Sequence, residues 1–319
     1  MVVPFLSAGN WGGHGLHLRG NTEAFVRAAS SQKWLELHGL EHWTHYYTDY
    51  GVGLQKRFFA HYLQGIDNGW QDLPPVILNA RKADGFEQRS ETEWPLASTL
   101  WTRLYLDPER LQLSGQSVPD EAVVSYDVHA DGVTFMSSPF ERETEITGPV
   151  AARLFVSSST ADADVFAVLR LFDPEGVEVV FNGAIDPHMP AAQGWLRASH
   201  RKLDPTLSTD HRPYHTHDEP QALEPGEVYQ LDVEIWPTSI VVPVGHRVAL
   251  TVRGKDYEYD GAEEAAHLTT FHNELRGCGP FIHDDPRDRP DHIFSGVNSL
   301  HCGGPHDAYL LLPVVPEAE

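Results

Sequence analysis

The sequence predicts a mainly β protein in which a large β-sandwich follows a short segment of alternating strands and helices. Two observations support this fold class. Residues 223–259 contain two runs of strict polar–apolar alternation, and short extended runs bounded by Pro, Gly and Asp recur from residue 76 to the end of the chain. The first 65 residues instead follow the order strand, helix, strand, helix, which is typical of an α/β unit.

The clearest strand pair lies within residues 223–259. A turn over Glu224–Glu227 precedes apolar residues that alternate with polar ones, namely Tyr229, Leu231, Val233 and Ile235. A second turn over Pro243–His246 precedes another alternating set, Val248, Leu250 and Val252. This period of two predicts two strands of a sheet that is buried on one face.

Further extended segments predict the rest of the sandwich. They cover residues 76–79, 94–95, 101–106, 122–128, 133–136, 152–156, 165–172 and 177–181. Strands of this length with such punctuation indicate an all-β sandwich or jelly roll. Residues 191–198 are compatible with one helical turn or with a loop.

The N-terminal segment predicts two strands and two helices. The strands are the apolar run 2–6 and Lys33–His38; the helices are 22–29, capped by Asn21, and about 46–63. Two strands are too few for a stable parallel sheet, so we expect further strands on the N-terminal side. We predict a boundary that separates residues 1–66 from a sandwich domain of residues 67–319.

Composition limits the partners and the compartment. The chain has 46 acidic and 23 basic residues, a formal charge of −23, which argues against nucleic acid or an anionic membrane as a partner. Its two cysteines predict no disulfide framework. It has no run of 18 apolar residues and no basic region followed by an apolar core, so we expect a cytoplasmic protein without a membrane span.

His42 is the residue of greatest chemical interest. It follows the predicted strand Lys33–His38, and catalytic groups in open α/β sheets collect at the carboxyl ends of the strands. Imidazole titrates near neutrality and can accept a proton from a hydroxyl nucleophile. His45 is a rival for this role, and an ordinary loop histidine is the alternative. The 319 residues contain no Gly-x-Ser-x-Gly elbow, so no nucleophile of that kind is assigned.

Three polar groupings raise the question of a metal. Two are histidine groupings, at residues 215–218 and 301–306, and the third is the acidic stretch 284–291. None matches a helix-borne His-x-x-x-His, a paired Cys-x-x-Cys or an EF-hand pattern. Polar loop residues of a histidine-rich protein are the favoured interpretation, so we assign no metal and no cofactor.

Several motifs together resemble one family. They are residues 223–257, Glu145–Pro149, Ala161–Asp164 ahead of a long strand, and the ending Tyr309–Pro316. As a set they resemble the C-terminal jelly-roll domain, a galactose-binding-like β-sandwich, of CocE/NonD serine hydrolases and X-Pro dipeptidyl-peptidases. Residues 1–66 resemble the end of that family's α/β-hydrolase domain.

The resemblance implies a Ser-His-Asp triad that transfers an acyl group to water. Carried over to this sequence, the base is His42, with His45 second. Where the family has its aspartate, this chain has Gly12–His14 and no carboxylate. The family's nucleophile lies upstream of the matching region.

The implied function is therefore the C-terminal part of an esterase or dipeptidyl-peptidase that hydrolyses ester or amide bonds. Its expected partners are a small-molecule ester, amide or peptide substrate and an N-terminal hydrolase partner chain, with an oligomer as a further expectation. The alternative is a non-catalytic jelly-roll module that binds carbohydrate, through tryptophans such as Trp195, or a protein partner.

Overall fold

The structure is a computed structural model that describes residues 1–13, 16–39, 42–82, 85–183, 186–260, 275–279 and 281–316. Four α-helices are found in these ranges: α1 Leu18–Arg27, α2 His42–Tyr46, α3 Asp49–Gln64 and α4 Asp291–Phe294. The strands of the same ranges are β1 Phe5–Asn10, β2 Lys33–His38, β3 Val76–Lys82, β4 Gly85–Glu91, β5 Leu100–Asp107, β6 Gln112–Ser114, β7 Ala122–Asp127, β8 Val133–Ser137, β9 Thr144–Ser158, β10 Asp164–Phe172, β11 Glu178–Val179, β12 Ala192–Arg197, β13 Tyr229–Val242, β14 Arg247–Arg253, β15 Val297–Cys302 and β16 Tyr309–Val315.

The mainly β prediction is confirmed, and the strands after residue 76 enclose one apolar core. One antiparallel ladder runs β8–β14–β10–β12 and another runs β13–β9–β16–β5. Strands β10 and β13 are not hydrogen-bonded to each other, yet alternate residues of both lie in the same buried cluster, as Val165 and Leu231 illustrate. The two ladders therefore pack face to face, as in a sandwich.

Residues 191–198 form neither of the two conformations expected from the sequence. They form β12, which pairs with β10 from Leu169 to Asp164, followed by a 3-10 turn over Ala198–His200. Gly194 explains the packing, since a Cβ there would lie 2.0 Å from the carbonyl oxygen of Glu234. Residues 192–197 form a strand because they pack closely on β13, which is distant in sequence.

The first strand lies three residues later than predicted. The ladder of β1 with β2 is parallel and joins Phe5 to Lys33 and Asn10 to His38, so β1 covers residues 5–10 rather than 2–6. The predicted strand Lys33–His38 is confirmed as β2. The apolar side chains of residues 1–3 are exposed instead, because they precede the ladder.

The helices also differ from the prediction in their limits. Helix α1 begins at Leu18, so Asn21 lies inside it and its amide donates to the Ala8 carbonyl instead of capping the helix. The predicted helix 46–63 corresponds to α3, which begins three residues later, at Asp49, because the Thr48 hydroxyl caps it by accepting the Gly51 N–H. None of the helices in the described ranges is long and apolar enough to cross a membrane.

The N-terminal strands continue directly into the sandwich. Strand β2 pairs in parallel with β3, and β3 reaches β13 through a bridge between Arg81 and Ile240. An ion pair between Arg19 and Glu234, at 2.7 Å, also joins α1 to β13. This continuity places the carboxyl ends of β1 and β2 beside the sandwich.

Candidate functional site

The candidate site lies at the carboxyl ends of the parallel strands β1 and β2. Side chains of β2 alternate between the two faces of the sheet. Leu35 and Leu37 pack in a cluster with α1, whereas Trp34 packs with Phe58 of α3. The same alternation places the other β2 side chains that share the parity of Trp34 on the α3 face. Polar groups on that face and in helix α2 form the site.

His42, the base proposed from the sequence, is the first residue of α2. Its ring is half-buried and its Nδ1 atom is buried. The ring of His17 meets it edge to face, with centroids 4.6 Å apart. A Cβ at Gly13, near the place of the family's aspartate, would lie 3.3 Å from the Cβ of His17. His17 is therefore close to both Gly13 and His42.

A second group of ionisable side chains lies on the α3 face of β2. Nδ1 of His38 is 2.8 Å from Oε2 of Glu36, a hydrogen bond in which the imidazole donates because a carboxylate only accepts. The side chains of Glu36 and His38 are 2% and 5% exposed. The ring of His45 stacks on His38 with centroids 4.4 Å apart, and its Nε2 is 3.7 Å from Oε1 of Glu36. The structure thus brings His45 to this group and leaves His42 beside His17.

Sequence reasoning missed Glu36 and His38, although a signal was present. An acid and a histidine two positions apart in an apolar strand must lie on the same face. The pair has the geometry that holds a base in a serine hydrolase, where the carboxylate accepts from Nδ1 and leaves Nε2 to take a proton. Nε2 of His38 is buried and makes no hydrogen bond with any described residue.

Burial controls the titration of the groups around Glu36. Burial lowers the pKa of His45, with a smaller lowering by His38, and Glu36 opposes both. Burial and the negative charge of Glu36 raise the pKa of Tyr50, whose ring lies 4.8 Å from that of His45. At neutral pH His45 and Tyr50 are therefore uncharged.

The same group contains three potential metal-ligating atoms within 4.8 Å of one another, from Glu36, His38 and His45. The two imidazole planes are only 17° from parallel. The lone pair of an imidazole lies in the ring plane, so two stacked rings cannot both direct lone pairs at one ion. The arrangement suits a hydrogen-bonded carboxylate–histidine pair better than coordination.

A separate cleft of about 560 Å³ lies between α1 and the sandwich. Trp195 and Trp236 line it, together with Arg19, Glu234 and His215. Trp195 is half-buried and meets Trp236 edge to face at 4.6 Å. This cleft contains the tryptophan that the sequence suggested for carbohydrate stacking.

The polar groupings considered for a metal have different environments. The acidic stretch is paired with arginine: Asp285 with Arg287, and Asp288 with Arg197 and Arg289. In residues 215–218, Nδ1 of His217 lies 2.9 Å from Nδ1 of His200. In residues 301–306, His301 and His306 come together beside Glu121.

Comparison with known proteins covers both parts of the chain. The family model of the X-Pro dipeptidyl-peptidase C-terminal non-catalytic domain matches residues 68–311. A crystal structure of a CocE/NonD family hydrolase from Staphylococcus aureus superposes with a TM-score of 0.86 at 30% identity, over 99% of this chain and 55% of that one. Cocaine esterase from a Rhodococcus species is 24% identical over 304 residues, which cover 82% of this chain and 45% of the esterase.

A more distant solved structure shares the fold alone. It is an aminopeptidase from a marine sediment archaeon, Thaumarchaeota, with a TM-score of 0.67 at 15% identity, over 99% of this chain and 56% of that one. The chain thus spans about half the length of the proteins that it matches.

Proposed function

The chain belongs to the family of the X-Pro dipeptidyl-peptidase C-terminal non-catalytic domain and corresponds to the C-terminal portion of CocE/NonD hydrolases. From this we propose that it is part of a serine hydrolase that cleaves ester or amide bonds. The nucleophilic serine and its oxyanion donors would come from a polypeptide segment outside these 319 residues. The substrate would be a small ester, amide or peptide.

One observation carries the proposal. The likeness to the staphylococcal hydrolase covers 99% of the chain, so it includes the first 67 residues, which the non-catalytic family model leaves out. Those residues contain the parallel pair β1–β2 and its histidine-rich carboxyl end. Carboxyl ends of parallel strands are where α/β enzymes hold their catalytic groups.

His42 is the base we propose to test first. It is half-buried at the start of α2, so a serine approaching from outside this chain could reach its ring, whereas the ring of His38 is almost fully buried. His38 has a carboxylate partner in Glu36, and residue 13, near the place of the family's aspartate, is a glycine. In this proposal the contacts of His45 with Glu36 and His38 hold α2 in place, and His42 takes the proton of the serine.

The nucleophile is tested on the purified chain with a fluorophosphonate probe. Because the sequence has no Gly-x-Ser-x-Gly elbow, we expect no labelled serine in the 319-residue protein. DNA upstream of the Met1 codon, or a neighbouring gene, should encode that motif after a strand. Clean labelling of one serine in this chain would contradict the proposed division of the enzyme.

The base is tested in the hydrolase that contains both parts. We expect His42→Ala to lower kcat/KM for a p-nitrophenyl ester by roughly 10²–10⁴-fold, the usual contribution of a general base. His45→Ala is the comparison variant and should lose much less. If His38→Ala abolishes activity at unchanged melting temperature while His42→Ala retains it, the base is His38 with Glu36 as its orienting acid.

The alternative function is a non-catalytic module that binds carbohydrate or a protein partner. The cleft beside Trp195 favours it, because an indole face flanked by charged groups suits a sugar ring. A glycan array probed with the intact chain and with Trp195→Ala tests this alternative. Hits that depend on Trp195 would support it, and an array without hits would count against carbohydrate.

A further inference from the structure

Three side chains with metal-ligating atoms meet where the turn after β15 folds over the start of β7. Nδ1 of His306 lies 3.2 Å from Oε1 of Glu121, and Nδ1 of His301 lies 4.0 Å from the same oxygen. One ligand atom from each residue falls within 4.8 Å of the other two. The group is distant in the fold from β2 and its histidines, and it lies within the non-catalytic family match.

The turn that brings His306 back to His301 depends on two glycines. Gly303 and Gly304 have φ values of +77° and +56°, in the left-handed region that favours glycine. A Cβ at Gly303 would lie 2.1 Å from the carbonyl oxygen of Asp120. A bridge between Gly303 and His306 closes the turn. The backbone therefore fixes the two histidines next to each other and beside the residue that follows Asp120.

Residues of β9 contact the imidazole rings of His301 and His306. Nε2 of His301 is 2.9 Å from the hydroxyl of Ser157 on β9, so the nitrogen that faces Glu121 is the other one. The ring of His306 packs on Phe155 with centroids 5.1 Å apart. A hydrogen bond to the far nitrogen of an imidazole is the usual support of a metal-binding histidine, because it sets the tautomer and the ring orientation.

The three side chains are of the types that ligate a divalent cation, since a carboxylate and a neutral imidazole are both metal-binding groups. The Glu121 side chain is half-exposed, so it can adjust toward an ion and supply one negative charge.

We propose that Glu121, His301 and His306 form a divalent-cation site, with Zn²⁺ as its preferred metal. Two imidazoles and one carboxylate, with water as a fourth ligand, are a common zinc donor set. Zinc–ligand bonds of about 2.0–2.1 Å in a tetrahedron separate neighbouring ligand atoms by roughly 3.3 Å. The two histidine nitrogens lie 3.2 and 4.0 Å from Glu121 and all three pairs lie within 4.8 Å, so the ligand atoms must draw together by at most about 1.5 Å to match. Such an ion would tie the start of β7 to β15 and its turn.

The site is tested by metal titration of the intact chain after dialysis against EDTA. Zn²⁺ binding is measured by calorimetry, and Co²⁺ is added as a spectroscopic substitute whose visible bands report tetrahedral coordination. The variants are His306→Gln and Glu121→Gln, with His292→Gln, on the exposed surface of α4, as the matched control. Circular dichroism without metal verifies that each variant folds.

We expect the intact chain to bind one Zn²⁺ that both ligand variants lose and the control keeps. Ser157→Ala should bind it roughly 10–100-fold more weakly, the usual cost of removing a hydrogen bond behind a ligand. Zn²⁺ should also raise the melting temperature of the intact chain but not of His306→Gln. The proposal is wrong if the intact chain binds no Zn²⁺, or if both ligand variants bind with unchanged stoichiometry and affinity.

Discussion

At the scale of single residues, burial holds several histidines of this protein in the neutral state. The pKa is lowered for His45, His211, His215, His217 and His301, and in each case desolvation is the largest cause. A nearby positive charge adds a smaller lowering, as Arg19 does for His215 and His217. Since unfolding exposes these rings to water, they must take up protons on unfolding in mild acid.

His215 allows the clearest test of this effect. Burial lowers its pKa to about 4, from 6.5 in the unfolded chain, and its Nε2 makes no hydrogen bond with a described residue. Between these two pKa values the unfolded state binds the extra proton, so stability is lost as the pH falls from 6.5 toward 4. Allowing for partial solvent exposure, we expect His215 to lower the free energy of unfolding by about 1–2 kcal/mol at pH 5 relative to neutral pH.

Urea unfolding at pH 7.5 and pH 5 measures this contribution. Between these pH values the free energy of unfolding should fall in both proteins. The fall should be about 1–2 kcal/mol smaller for His215→Gln than for the unmodified chain. His129→Gln, at an exposed position in the turn before β8, is the control and should behave like the unmodified chain. An equal loss in both variants would show that His215 does not carry the effect.

At the scale of elements, the corner between α2 and α3 positions the histidines of the candidate site. Gly51 lies in the first turn of α3, and a Cβ there would be 2.2 Å from the carbonyl oxygen of His45. Gly53 lies in the same helix with no atom within 4 Å of a Cβ. The two glycines therefore have opposite roles: one permits the corner and the other only lowers helix propensity.

This difference predicts opposite effects of the same substitution. Gly51→Ala should destabilise the protein by about 1–3 kcal/mol, because a backbone atom must move to accept the methyl group. Gly53→Ala should stabilise it by up to about 1 kcal/mol through helix propensity. Urea unfolding compares the two. A neutral Gly51→Ala would mean that α2 does not pack on α3 as described.

At the scale of the whole molecule, the predicted boundary between residues 66 and 67 does not separate two independent cores. Apolar residues from both sides share one buried cluster: Trp11, Leu18, Phe25, Leu35 and Leu37 before the boundary, and Val76, Leu78, Trp94 and Leu96 after it. The parallel pairing of β2 with β3 also crosses it. The division into domains of residues 1–66 and 67–319 stays a prediction, and the shared cluster predicts that the two parts fold as one unit.

Removal of residues 1–66 should therefore destabilise the remaining sandwich. Four buried apolar side chains would lose their cover, and each contributes roughly 1.5–3 kcal/mol. That sum is comparable with the roughly 5–15 kcal/mol of a whole protein's stability. We expect residues 67–319 to bind a hydrophobic dye and to melt at a lower temperature than the intact chain, or to aggregate.

A chain that lacks only residues 1–3 is the matched control. Their apolar side chains are 69%, 78% and 60% exposed, so their loss should leave the melting temperature unchanged. If residues 67–319 melt cooperatively at the temperature of the intact chain, the shared cluster contributes little and the boundary separates two stable units.

The sequence by itself determined the elements whose pattern is local. Alternation in Tyr229–Ile235 and Val248–Val252 predicted β13 and β14, and the segment Lys33–His38, closed by Gly39, predicted β2 with its true limits. The sequence also predicted the family resemblance, because the motifs that carry it are short contiguous segments of turns and strand ends. The predicted limits of an element were wrong where pairing with another strand sets them. The limits of β1, for example, are set by its ladder with β2.

Only the tertiary structure decided which polar groups meet. His42 and His45 are three positions apart, yet one lies beside His17 and the other stacks on His38. Glu121 meets His301 and His306 only because β7 pairs with β15. Periodicity assigns a side chain to a face of a strand, but distances between faces depend on strand pairing and loop closure, which are non-local.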